Sequence, residues 1–525
     1  MESFDDFALE PVGKSLPPKI LAAVDIGTNS IRAAIAESYS DGRLKIIEQL
    51  NRGVWFGKET FQRGGLSAQS MRAGIEILKM FQKRFAEYHV EPVRVVATAS
   101  IREASNADIF IDRIKISTGL DVKIIDSSEE IQLSVTAIQE ELGDDFPRDE
   151  SKNVLIVNVG GGSTLLAILR GGTVIHSQIL NIGTIRMREF LTDPNDSLEN
   201  NAAIFRHAIH ETLTSAEAFF PFHEVDLALA MGSEPRFVGK QIGRPSKIGD
   251  LQSVRTSRFD GLVERCMKME TPQLCQTFGI NFQTAEMTVP ALLTYQEIFQ
   301  RTKVPSFLVG SASMRHGVLR VMASEVWGLE NLDYQNDVLD AARSLAEKYR
   351  VDLDSANQTE KLAIRIFDEL KNEYALPQRS CLLLRAAAIL QYCGCFVSNR
   401  SFHKHSFYLI SNSEIFGLRD YEKEMTAYIA RYSFRSAPKP SHQAFMSLSR
   451  ETRVAISKLA AILRVADALN HGNPIDPDTL QFKREENDLY IILPPDDTLL
   501  LKNRSLSSQG RMFEDVFGLR IFFMS

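Results

Sequence analysis

Two stretches of the chain share one rhythm. Residues 21–36, LAAVDIGTNSIRAAIA, and residues 155–169, LIVNVGGGSTLLAIL, each run apolar, break at a short turn carrying glycine and hydroxyl side chains, and turn apolar again. With an offset of 133 residues, Asp25 falls on Asn158, Gly27 on Gly160 and Ser30 on Ser163. Two apolar runs around a tight glycine turn predict a hairpin whose loop N–H groups can converge on an anion. One such loop is weak evidence. Two, at matching positions in halves of similar size, predict duplicated α/β domains facing one another across a cleft.

The chain between them agrees. SDGRLKIIEQL carries a hairpin turn at Asp41-Gly42. From Ser67 a helix is predicted, with Met71, Ile75, Leu78 and Phe85 on one face. VRVVATA (93–99) and VKIID (122–126) read as buried strands, each followed by helical sequence. Strands alternating with helices predict an α/β sheet.

Length and composition narrow the class. A chain of 525 residues predicts two to four domains. Five cysteines, an odd number without metal-like repeats, fit reduced structural thiols in a cytosol, and Cys393-Gly-Cys395 reads as buried thiols. The first residues, MESFDDFALEPVGKSLPPK, lack the apolar core of a signal peptide. No apolar run reaches the roughly 20 residues that span a bilayer, so a cytoplasmic protein without a membrane partner is expected. A net charge of −7 argues against a nucleic-acid partner while allowing a local basic groove for a polyanion.

The motifs AVDIGTNS, ATASIREASN (97–106), IIDSSEEIQL (124–133), VGGGST and SASMRHGVL (311–319) resemble, in order and spacing, the exopolyphosphatase/guanosine-pentaphosphate phosphatase family. FHKHSFYLI (402–410), LAAILRVADALN (459–470) and FEDVFGLRI (513–521) extend the resemblance over most of the chain. It implies an α/β actin-like fold of two duplicated ribonuclease-H-like domains, a helical HD-like domain and a small C-terminal α/β segment. The expected boundaries are a flexible segment 1–18, then 19–148, 149–328, 329–474 and 475–525. The implied activity is release of terminal phosphate from inorganic polyphosphate, or of the γ-phosphate from guanosine pentaphosphate. Dimers are common in the family, so a homodimer is an expectation.

Phosphoanhydride cleavage needs a positioned water, a base beside it, and compensation for phosphoryl charge. The two loops offer Gly27, Thr28, Asn29 and Ser30, and Gly160, Gly161, Gly162, Ser163 and Thr164, as phosphate-binding groups. Glu130 matches the family's general base, with Glu129 as runner-up. Ser127-x-x-Glu130 is also a capping box, and the residues alone favour that bland reading. Arg102 matches an arginine that reaches the terminal phosphate; without the resemblance it is a solvated helix-start residue. Asp25 and Asn158 are the expected magnesium ligands.

Three departures stand against the family pattern. Asn158 and Leu165 replace acidic residues of the second glycine loop, a glycine-x-serine-glycine-threonine loop reads MGSEPR (231–236), and Gln391-Tyr392 replaces the His-Asp of a metal-binding HD domain. A weakened magnesium site is therefore expected, and His403, His405 and Asp467 are expected to be structural or phosphate-touching rather than metal ligands. Arg236, Lys240, Arg244, Lys247, Arg255 and Arg258 form one basic stretch, and Arg431, Arg435, Lys439, Arg450 and Arg453 another; each is a solvated surface or a track for a phosphate chain. The competing functions are a catalytically impaired binder of polyphosphate or alarmone and, less favoured, an actin-like ATPase or sugar kinase.

Overall fold

The computed structural model describes residues 16–191, 197–329, 335–434, 437–495 and 498–525. By internal packing these fall into two units: 16–167 with 179–329, and 168–178 with 335–525. Arg435, named above in the second basic cluster, and most of the segment 1–18 lie outside the described residues.

Two sheets build the first unit, apart from the 168–178 stretch of β7 and β8, which belongs to the second. β1 (Lys19–Ile26), β2 (Ser30–Ser38), β3 (Leu44–Gly53), β4 (Val93–Ala97) and β5 (Val122–Ile124) order as β3-β2-β1-β4-β5. β6 (Asn153–Val159), β7 (Thr164–Arg170), β8 (Thr173–Leu180), β9 (Leu227–Met231), β10 (Arg244–Pro245), β11 (Gln252–Arg255) and β12 (Ser306–Val309) order as β10-β11-β12-β9-β6-β7-β8. Read from its far edge, the second sheet repeats the first: hairpin neighbours on one side of the leading strand, parallel crossover strands on the other. β1 pairs with β4 and β6 with β9 in parallel, setting Asp25 beside Val96 and Asn158 beside Met231. The expected duplication is thus present in the backbone.

Local sequence explains the elements. β1 and β6 are almost wholly buried, as the apolar runs require of central strands covered on both faces. Gly42 takes φ +87° at the β2–β3 turn, the left-handed conformation that Asp-Gly supplies. The helix after Ser67 spans Ala68–Glu87; the Ser67 hydroxyl caps it by accepting from the Ser70 amide, and Met71, Ile75, Leu78 and Phe85 are buried. The strands expected over 93–99 and 122–126 stop at Ala97 and Ile124, because helices begin at Ala99 and Ser127.

The helices Ser127–Leu142 and Met314–Trp327 follow equivalent strands of the two sheets, β5 and β12. They cross at Gly317, where a β-carbon would lie 1.9 Å from the Leu133 carbonyl oxygen. Only glycine lets the two backbones approach this closely.

The second unit contains helices and a small sheet, β13 (Gln481–Glu485), β14 (Asp488–Ile492) and β15 (Arg520–Met524), in the order β13-β14-β15. Within it, Asp467 is buried and accepts a hydrogen bond from the Tyr392 hydroxyl at 2.8 Å, so a phenol occupies the carboxylate. Cys393 is buried, but Cys395 is exposed, which corrects the expectation that both are buried thiols. Of the second basic cluster, Arg431 lies over the Phe407 ring and Arg453 donates to the Met446 and Leu448 carbonyls, so both are committed to local packing.

Candidate active site

The two glycine loops meet at the carboxyl ends of the sheets, the edge where open α/β sheets hold ligands. Each is closed by the same bond: the Gly27 amide donates to the Ser30 carbonyl at 3.0 Å, and the Gly160 amide to the Ser163 carbonyl at 2.8 Å. Two glycines of the second loop are closely crowded by the first repeat. A β-carbon on Gly161 would stand 2.9 Å from Thr28 Cβ, and one on Gly162 would stand 3.1 Å from Ala99 Cβ. Gly183 supports the second loop from behind, since a β-carbon there would lie 2.2 Å from the Gly162 carbonyl carbon. The loop's carbonyls are tied down: Gly160 accepts from Thr184, Gly161 from Ile185 and Arg186, and Gly162 from the Arg186 side chain. Amides and hydroxyls are what the loop has left to offer a ligand.

Between the loops lies a cavity of about 150 Å³. Asp25, Gly27, Thr28, Asn29 and Ser30 line it from the first repeat, and Asn158, Gly160, Gly161, Gly162 and Ser163 from the second. Glu130 completes the group. Asn29 is held by Gln283, whose side-chain amide donates to both its Oδ1 and its carbonyl. Tyr295 ties the ends of β6 and β9 together, accepting from the Val159 amide and donating to the Met231 carbonyl.

Several expectations about individual residues change. Thr164 is not on the cavity: it is fully buried, and its hydroxyl donates to the Ile182 carbonyl. Arg102 does not line the cavity either; its Nη1 donates to the Ile125 carbonyl at 2.7 Å and lies 3.6 Å from Glu130 Oε2. The Glu130 helix is capped by Asp126, which accepts from the Glu129 amide, so Ser127 does not cap it and Glu130 is free of a capping role. Glu129, the runner-up base, pairs instead with Lys123. Leu165 is buried in β7, inside the core.

Several cavity groups were not singled out by the sequence. Arg32, Arg315 and Glu234 line it, together with Arg236 from the first basic stretch. A charge inside the apolar run of β2 was the available signal for Arg32. Arg315 is 6% exposed, and its Nη1 lies 3.5 Å from Asp25 Oδ2. Lys240, Arg244, Lys247, Arg255 and Arg258 are exposed and do not line the cavity.

Burial governs the electrostatics. It raises the Glu130 carboxyl above its usual range, Arg102 opposing and Asp25 adding to the rise. Burial also raises Asp25, against the pull of Arg315 and Arg32. The same desolvation lowers Arg315 to about 10 and, with the arginines beside it, His316 to about 4. Asp25 Oδ1 and Glu130 Oε2 are buried with no hydrogen-bond partner.

Asp25 Oδ1 is the test for magnesium: a hard anionic donor without a partner, on the same cavity as the Asn158 side chain. Mg²⁺ usually takes one or two carboxylates, keeping waters and substrate oxygens for the rest. Among the described residues no three acidic, histidine or cysteine side chains gather to hold a metal alone. The donor set fits a cation completed by water and phosphate.

Fold and cavity together define an α/β protein of the duplicated, actin-like class. Residues 34–325 match the model of the Ppx/GppA phosphatase family, and residues 339–509 match domain III of that family. The chain belongs to the Ppx/GppA phosphatase family, and its homologues are hydrolases. Two relatives from strains of Aliivibrio fischeri, each named guanosine-5'-triphosphate,3'-diphosphate pyrophosphatase, are similar along most of their length. One is 24% identical over 84% of this chain and 86% of its own, the other 23% identical over 93% of each. The crystal structure of an exopolyphosphatase from Cytophaga hutchinsonii shares the fold with a TM-score of 0.52, at 21% identity over 58% of this chain and 98% of its own. No helix among the described residues is long and apolar enough to cross a membrane.

Proposed function

We propose that this protein hydrolyses a terminal phosphoanhydride bond, releasing orthophosphate from inorganic polyphosphate or the γ-phosphate from guanosine pentaphosphate. One observation carries the reading: Glu130, whose buried Oε2 is held among the described residues only by Arg102 at 3.6 Å, lines a cavity walled by two glycine loops. The names of the relatives support these two substrate classes.

In this reading the amides of the 28–30 and 161–163 stretches, Gly27 and Gly160 being spent on closing the loops, hold the phosphoryl oxygens, aided by the Thr28, Ser30 and Ser163 hydroxyls. Arg32, Arg236 and Arg315 compensate charge as the leaving oxygen develops it. Glu130 accepts the proton of the attacking water, and Arg102, pinned by the Ile125 carbonyl, orients the Glu130 carboxylate rather than the phosphate. Asp25 and Asn158 would hold magnesium, which when bound neutralises phosphoryl oxygens. Phosphate release from long polyphosphate and from guanosine pentaphosphate, by wild type and Glu130→Gln, tests the proposal. Release that survives the substitution unchanged overturns it.

Asn158 favours a second reading, a family member that binds these anions without cleaving them. Absence of release with either substrate, alongside saturable binding of both, would select it.

A further inference from the structure

The internal repeat exposes a missing charge. At one register position the first repeat carries Asp25 and the second carries the neutral amide of Asn158, and both side chains line the cavity. Beside Asn158 in the sheet is Met231, the last residue of β9. The chain then turns at Gly232, with φ +118°, its missing side chain leaving room 3.3 Å from Asn158 Oδ1. Two residues later Glu234 enters the same cavity, 8% exposed.

A glutamate this buried needs a reason. The Ser233 hydroxyl donates to its Oε2 at 2.8 Å. At the equivalent point of the first repeat, three residues beyond the strand neighbour of Asp25, stands Ala99. The repeat with a carboxylate on its leading strand has none on the following helix; the repeat lacking one there has it on the helix.

We infer that Glu234 restores to the cation side of the cavity the negative charge that Asn158 omits. It is a positioning residue acting through the water shell of a bound divalent cation, since among the described residues no three acidic, histidine or cysteine side chains gather to ligate one directly. Magnesium keeps several of its waters, and a carboxylate accepting from them holds the ion nearly as a ligand would. The inference rests on the cation-dependent hydrolase reading, but its test does not.

The test is Mn²⁺ binding to the whole protein without substrate, read from the electron paramagnetic resonance signal of free Mn²⁺. Glu234→Gln preserves size and the Ser233 bond, and it should weaken Mn²⁺ binding about tenfold, the lower end for groups acting through a metal's water. Asn158→Asp should change the wild type little yet recover most of the loss in the Glu234→Gln background. Glu234→Ala, which removes Cγ and the carboxylate, provides a second variant should the first fail to fold. Equal Mn²⁺ binding by wild type and folded Glu234 variants overturns the inference. So does a loss that Asn158→Asp does not recover, which makes Glu234 merely structural. Failure of the hydrolase reading would appear separately, as phosphate release unaffected by Glu130→Gln.

Discussion

Glu130 is the fourth residue beyond the cap of its helix, and burial raises its carboxyl while Arg102 pulls the other way. Removing the base should lower turnover by roughly 100-fold or more, the usual scale for general-base loss. Stability should move in the opposite direction. A carboxyl whose folded pKa is raised contributes stability below its unfolded pKa and loses it as pH rises through the folded value. Glutamine does not titrate, so Glu130→Gln in metal-free buffer should melt at or above the wild type at pH 8. That margin should close as pH falls below about 4, near the ordinary glutamate value; a variant that melts lower at pH 8 would contradict it. For the same reason wild-type phosphate release should decline as pH drops through the raised Glu130 pKa, a limb that a pH–rate profile would detect. At this scale the sequence was uneven. The loop glycines and Asp25 were legible because glycine turns are local features, whereas Glu130 came from the family resemblance, its local signal pointing to a cap. Arg102 and Thr164 were not: their partners, Ile125 and Ile182, lie well along the chain and are chosen by packing.

The helix pair that brings Glu130 and Arg315 to one cavity depends on a single missing side chain. Gly317→Ala would drive a β-carbon against the Leu133 carbonyl, backbone against backbone, and should destabilise the protein by roughly 2 kcal/mol or more. Gly261, exposed within the helix Thr256–Met267, has nothing within 4 Å of such a carbon. There the same substitution should stabilise by about 0.5–1 kcal/mol, the intrinsic helix preference of alanine over glycine. Chemical denaturation of both variants checks the pair, and shifts of the same sign would refute the account. Elements themselves were well read, since period and turn residues announce strands and helices. The crossing was invisible, because the sequence SASMRHGVL does not say which backbone Gly317 meets. The cap was misread for a subtler reason: Asp126 and Ser127 are both good N-caps, and the backbone selects Asp126.

Across the molecule, cations sort by depth. Arg32, Arg236 and Arg315 line the cavity, while Arg244, Lys247 and Arg255 lie exposed on and beside the β10–β11 edge. Neutralising the exposed three should weaken binding of long polyphosphate and reduce its salt dependence, leaving turnover of the shortest substrates unchanged. Binding measured at two ionic strengths decides it, and an equal effect at every chain length would count against such a track. The duplicated architecture was legible from the offset of two loops, whereas this sorting was not: a run of basic residues looks alike in sequence whether or not it borders a cavity.

The crossing at Gly317 and Leu133 marks how far the two repeats have parted. Counted from their caps, Asp126 and Ser313, Glu130 and Gly317 are counterparts. A dimer of identical repeats has one gene for both walls. It could not put a carboxylate on one helix and bare backbone on its mate, since each mutation would be written twice. Two repeats within one chain are free of that constraint. The first repeat now contributes Asp25, Glu130 and Arg32, and the second Arg236, Arg315 and Glu234, so the walls carry opposite net charge. In the proposed reaction a phosphate chain would meet a direction, with Glu130 on one side and two of the three arginines on the other. Symmetric walls would have presented two equivalent ways to bind and no preferred face for attack.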